Sequence, residues 1–116
     1  MKNEQQFMMI FRFTPNPNFQ PTPEQAKEMQ EQWGSFIGNI AIQEKLVSTH
    51  QLGFEGKLIS ANKEVSEGIS LLENQTPGGN MIVRANSIDE ATEMAKNCPI
   101  LLMGGSVEVR NINPMN

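Results

Sequence analysis

The chain has 116 residues, 9 basic against 13 acidic, a net charge of −4 and a hydrophobic share of 38%. That length suits one domain spanning residues 1–116, and such a domain buries roughly two thirds of its unfolded surface, enough for a core. The few basic residues form no cluster, which excludes the basic stripe that a nucleic acid or an anionic membrane surface requires, and a single cysteine excludes an internal disulfide and a zinc cluster.

The chain begins MKNEQQ and then carries the apolar run Phe7–Met8–Met9–Ile10–Phe11, broken by Arg12. The run is too short for a signal peptide, and no apolar stretch reaches membrane-spanning length. The expectation is a soluble, cytoplasmic protein. Phe7 to Phe13 reads as the first strand, apolar at odd and even positions alike and therefore covered on both faces. Residues 14–23, TPNPNFQPTP, hold four prolines and form a loop.

Thr22 then caps a helix, with Pro23 suited to its first turn and Gln25 placed to complete a capping box. Ala26, Met29, Trp33, Phe36, Ile37, Ile40 and Ala41 recur at three- and four-residue steps, the stripe of a helix packed on one side, and the helix is expected to run to about Lys45. Gly34 and Gly38 each cost it about 1 kcal/mol against Ala. They either permit close packing or lie on the surface.

Leu46 to Leu52 reads as the second strand, residues 53–56 as a turn, and Lys57 to Ser60 with Glu64 to Ser66 as short strands about an Ala61–Asn62–Lys63 turn. Gly78–Gly79 and Gly104–Gly105 read as turns that precede strands. Asn80 to Ala85 is the next strand. Ser87 opens a second helix, with Glu90 at the box position and Ile88, Ala91, Met94, Ala95 and Cys98 along its stripe. Pro99 stops it. Ser106 to Ile112 is the last strand.

This order predicts an α+β fold of the ferredoxin-like βαββαβ kind, one sheet with two helices on one face. The other face then carries Met8, Ile10, Ile82 and Ile112 with nothing over them, an apolar patch that a second copy would cover. A homodimer is the expected state.

Ser87, Asp89, Glu90 and Ala91 opening a helix, Pro99 at its end, and the closing run Gly104–Gly105–Ser106–Val107–Glu108–Val109–Arg110 resemble the YCII-related family over nearly the whole chain. The resemblance implies a dimeric α+β barrel. One branch of that family carries an Asp-Gly-Pro-Phe loop that ends on a glycine pair. Here Val65 to Gly79 matches it in length and ends on Gly78–Gly79, with Glu67 in place of the Asp, Gly68 kept, and Ile69–Ser70 in place of Pro-Phe. The loop reads as a diverged site. A His and Asp pair is the suspected catalytic device of the family, and the one histidine here is His50.

With Phe11, Val83 and Val109 turned to the helices, alternation puts Arg12, Arg84, Glu108 and Arg110 on the opposite face. The first and third main strands are expected to be adjacent and parallel, so that Arg12 and Arg84 come close at the mouth of the space between two sheets, where they could clamp a carboxylate or phosphate. The plainer reading is ion pairs with Glu108 and Glu67. His50 with Glu67 would make a base and its orienting carboxylate, or His50 is an edge-strand residue bonded to a carbonyl. Cys98 reads as a buried thiol; Trp33 and the methionines could line a pocket, but the place of Trp33 on the helix stripe favours core packing. No cofactor or metal set is visible.

The reading is a homodimeric module that binds a small polar or anionic molecule, between sheet and helices or at the dimer mouth, through Arg12, Arg84, Glu108 and Arg110. One alternative is a cofactor-independent enzyme, isomerase- or oxygenase-like, using His50 and Glu67. Another is a structural or regulatory dimer without ligand. An open pocket lacking His50 favours binding, a closed apolar space with Arg12, Arg84 and His50 converging favours the enzyme, and a filled space favours the third reading.

Overall fold

The computed structural model describes residues 4–16, 18–113 and 115. In chain order they form β1 (Gln5–Phe13), α1 (Pro23–Ile42), β2 (Leu46–Gln51), β3 (Lys57–Ile59), β4 (Val65–Glu67), β5 (Thr76–Ala85), α2 (Ile88–Ala95), a short 3-10 turn (Pro99–Met103) and β6 (Ser106–Asn111). This is a small α+β protein. Four strands make an antiparallel sheet in the order β2-β5-β1-β6, and β3 and β4 make a separate two-stranded hairpin.

Local chemistry sets the element ends. Thr22 Oγ1 accepts from the Gln25 N–H at 3.1 Å while the Gln25 side chain accepts from the Thr22 N–H at 3.0 Å, so both halves of the capping box form. α1 stops at Ile42, short of Lys45. The Glu44 N–H donates to Ala41 O and the Lys45 N–H to Ile40 O, the bond pair of a Schellman reversal. The residue at the left-handed position is Glu44, at φ 60°, where glycine is the usual occupant. At α2, Ser87 Oγ accepts from the Glu90 N–H, but the Glu90 carboxylate takes the Asn86 N–H and Lys45 Nζ instead of closing the box on Ser87.

Phe7, Met9 and Phe11 of β1 and Met81, Val83 and Ala85 of β5 share one face of the sheet and are buried beneath the helices. Phe36 and Ile40 of α1, Ala91 and Ala95 of α2, then Cys98 and Ile100, complete this core. The rings of Phe11, Trp33 and Phe36 meet edge to face at centroid distances of 5.3 to 6.4 Å. A Cβ at Gly34 or Gly38 would have no atom within 4 Å, so these helix glycines lie on the surface and bring nothing into close packing.

Of the two glycine pairs, Gly104–Gly105 makes the expected turn before β6, whereas Gly78–Gly79 does not. Gly78–Gly79 lies inside β5. A Cβ at Gly79 would stand 2.6 Å from the His50 carbonyl oxygen, and one at Gly78 would stand 2.7 Å from the Phe13 ring. The pair is glycine because neighbouring strands press on it. The tight turn comes earlier, at Leu72–Gln75, where Glu73 and Asn74 both have positive φ and the two flanking residues exchange backbone bonds. Gly104 has φ 79° and ends the 3-10 turn, whereas Gly105 is pressed against Arg12 O.

The single chain is broad and thin, 44 × 43 × 20 Å, with a radius of gyration of 15.9 Å, against about 13 Å for a close-packed chain of this length. Its surface is 8693 Å². A monomer of 13.0 kDa has about 6,300 Å², so roughly 2,300 Å² is in excess.

Two substitutions test the backbone account. Glu44→Gly removes the left-handed penalty and is expected to raise stability by about 1 kcal/mol. Gly105→Ala drives a Cβ into Arg12 O and is expected to lower it by about 2 kcal/mol or more. Urea unfolding midpoints measure both, and shifts of the same sign would contradict it.

Candidate functional site

The sheet has two unlike faces, and the sequence-predicted residues divide between them. Cross-strand neighbours share a face, so the registers Met8–Ile82 and Met8–Arg110, Ile10–Asn80 and Ile10–Glu108, and Asn80–His50 place these side chains together, away from the helices. Met8, Ile10 and Ile82 are half-buried there, with no helix over them.

Arg12, Glu108 and Arg110 form one cluster on that face. The Glu108 carboxylate takes Arg12 Nη2 on one oxygen at 3.2 Å and Arg110 Nη1 on the other at 3.0 Å. The bonds from Arg110 and then Arg12 hold the Glu108 carboxyl below its ordinary value of 4.5. Arg84 is not part of this cluster. The expectation of parallel neighbours is corrected by the register: β1 and β5 are antiparallel, Arg84 pairs with Gln6, and Arg12 pairs with Pro77. Six residues of strand separate the two arginines, roughly 20 Å at about 3.4 Å per residue, so no single small anion bridges them. The physical reason is the return path of the chain. β5 comes back between β1 and β2 and opposes both. Among the described residues the Arg84 guanidinium has no hydrogen bond or ion pair, although its N–H donates to Lys45 O at 2.7 Å.

His50 and Glu67 also have separate partners. His50 Nδ1 lies 3.3 Å from Asn80 Oδ1 on the open face. Glu67 stands on the β3–β4 hairpin and pairs with Lys57 Nζ at 3.4 Å, both side chains largely exposed. The expected base and orienting carboxylate are not brought together, because the stretch that was to carry Glu67 as a site loop folds instead as β4, a tight turn and the start of β5.

The helix-covered face holds a pocket of about 490 Å³ between α1 and the sheet. Its walls are largely apolar, with Met29, Trp33 and Ile37 from α1, Phe11 and Phe13 from β1, and Met103 from the 3-10 turn. Met29, Trp33 and Ile37 stand at four-residue steps along one ridge of the helix. Gly78 and Gly79 line the sheet side and place no side chain there. Gln30, Thr49 and Gln51 supply polar groups. The Thr49 hydroxyl is engaged by Asn80 O at 3.0 Å, which leaves the two amides. His50 also borders the pocket, with its ring bonded to Asn80. No Arg, Lys, Asp or Glu lines this space.

In the sequence, Trp33 and the methionines read either as pocket lining or as core, and their place on the helix stripe favours core. Trp33 does pack on Phe11 and Phe36, and it also forms a wall. The available signal was the Met29, Trp33 and Ile37 ridge of the helix stripe, opposite a strand that carries two adjacent glycines. Cys98 is buried, and burial pushes its thiol up to about 11, so it stays protonated.

Among the described residues no group of three His, Cys, Asp or Glu side chains is placed to hold a metal ion, and no helix is long and apolar enough to cross a membrane. No protein-family model matches the chain, and no curated protein is similar enough to it to count as a relative.

The Glu108 cluster has a signed pH dependence. A carboxyl depressed in the folded chain adds stability that is complete above 4.5 and is lost as the pH falls through the depressed value. Glu108→Gln is therefore expected to lower the thermal midpoint at neutral pH, and the gap to the wild type should close in acid. A gap of constant size from neutral pH to pH 3 would show that the carboxylate charge is not the cause.

Proposed function

We propose that this chain is a small-molecule-binding module that works as a homodimer, of the YCII-related, ferredoxin-like α+β barrel type, and that its ligand has an apolar, ring-sized body and one polar end. The observation that carries the reading is the pocket under α1. Its 490 Å³ falls within the usual range for small-molecule sites, about 300–1,000 Å³, and it joins aromatic and thioether walls to a few amides. A charged ligand would be buried there without a counter-charge, at a high desolvation cost. The body of the ligand is therefore neutral, and its polar end hydrogen-bonds Gln30 or Gln51.

The strand order supports the ferredoxin-like part of the reading. With the β3–β4 hairpin set aside, the first and third sheet strands are central and the second and fourth are edges. The homodimer is supported by the uncovered Met8–Ile10–Ile82 strip and by the excess surface of roughly 2,300 Å², which is more than the ~800 Å² per partner of an ordinary stable interface. The enzymatic alternative loses its support, since His50 and Glu67 are each engaged elsewhere. An unfilled pocket favours a ligand over a purely structural dimer.

Trp33 is the only tryptophan, so its emission reports on this pocket alone. Titration with 4-nitrobenzyl alcohol, a neutral contact quencher, is expected to quench it saturably, at least tenfold more tightly than the anionic 4-nitrobenzoate. Met29→Phe narrows the space and is expected to abolish saturation. Tighter binding of the anion, or unchanged quenching in Met29→Phe, would refute the assignment.

A further inference from the structure

We propose that the β3–β4 arm, residues 54–75, lies across the open sheet face of a second copy of the chain. The arm needs a partner on energetic grounds. Its strands have three residues each, and the other elements make at most marginal contact with them. A hairpin of that length is marginal in water by itself. Ile59 and Val65 pair across it on one face, yet are 67% and 58% exposed. Phe54, Leu58 and Leu72 along the same segment are exposed as well. Two β-branched side chains paired on a hairpin and left in water form a docking surface.

The open sheet face matches this surface in charge and in character. It carries Met8, Ile10 and Ile82 at its centre, and Arg12, Arg84 and Arg110, all the arginines of the chain, around them. Glu108 answers two of these, which leaves the face positive and Arg84 without a partner among the described residues. The arm has the opposite balance, with Glu55, Glu64, Glu67 and Glu73 against Lys57 and Lys63. The two open faces that meet in the proposed barrel bring six arginines into one interface. An acidic arm reaching from each chain onto the partner's sheet supplies the missing counter-charge and completes the cover of the apolar strip. Complementarity of this kind selects orientation and disfavours the mismatched contact. The length and breadth of the single chain, 44 × 43 Å at a thickness of 20 Å, fit an arm that extends sideways from the sheet instead of folding back over it.

The inference rests on the homodimer proposed above, and its test separates the two. Ile59→Lys changes an exposed residue and leaves the core untouched. Sedimentation equilibrium is expected to show a wild-type dimer and at least a tenfold weaker dimer for Ile59→Lys. A tagged Ile59→Cys chain mixed with an untagged Ile10→Cys chain is expected to give the heterologous cross-link with a short bis-maleimide. The buried Cys98 remains in both chains, and the wild type serves as control. A dimer that survives Ile59→Lys at full strength, with no heterologous cross-link, overturns the arm while leaving the homodimer. A wild-type monomer overturns both.

Discussion

β5 enters between β1 and β2 and opposes each of them, and the positions of the remaining parts follow from that insertion. It carries Met81, Val83 and Ala85 into the core beside Phe7, Met9 and Phe11. The fit is close enough that Gly79 has no room for a Cβ against the His50 carbonyl. The same strand fixes the order β2-β5-β1-β6, which leaves β2 and β6 as the edges and sends the β3–β4 hairpin out of the sheet. A residue added or lost in β5 would turn its buried side chains to the open face, since strand side chains alternate strictly.

Both helices lie on one side of this sheet, and the two functional features arise from that asymmetry. Under α1, the aromatic cluster of Phe11, Trp33 and Phe36 holds the helix over the sheet, while the glycines of β5 add no side chains to the sheet side of the pocket. On the other side, an apolar centre ringed by arginines faces water. Dispersion and area burial close the first face within one chain. The second face requires another surface, and the acidic, apolar arm is the part of the molecule with matching character. The proposed ligand binding and self-association would use opposite faces of one sheet, joined by the short backbone run through Thr49, His50 and Gln51.

The periodic elements were legible from the residues. The Thr22–Gln25 box, the three- and four-residue stripe of α1, and the alternation that separates Phe11 and Val83 from Arg12 and Arg84 are local patterns, and local patterns survive folding. The failures were non-local. Whether β1 and β5 run parallel depends on the path of the chain, which no window of residues encodes, and this separated Arg12 from Arg84. Glycine marks turns, so Gly78–Gly79 reads as one in the sequence, whereas its cause in the fold is a neighbouring strand. The end of α1 depended on Glu44 accepting a conformation that usually selects glycine. Of the candidate site, the face occupied by Arg12, Arg84, Glu108 and Arg110 was readable, whereas the lining of the pocket stayed open between two readings, because a residue such as Trp33 can line a cavity and pack a core at once. The resemblance to the YCII-related family rests on the residues that carry it and stands as part of the proposal.

The most direct test of a sheet face completed by a second copy is small-angle X-ray scattering of the full chain in solution at micromolar concentration. The account predicts a particle of twice the 13.0 kDa of one chain, with a radius of gyration above the 15.9 Å of the single chain. A particle of 13.0 kDa with a radius near 15.9 Å would leave the open face and the arm in water and contradict it.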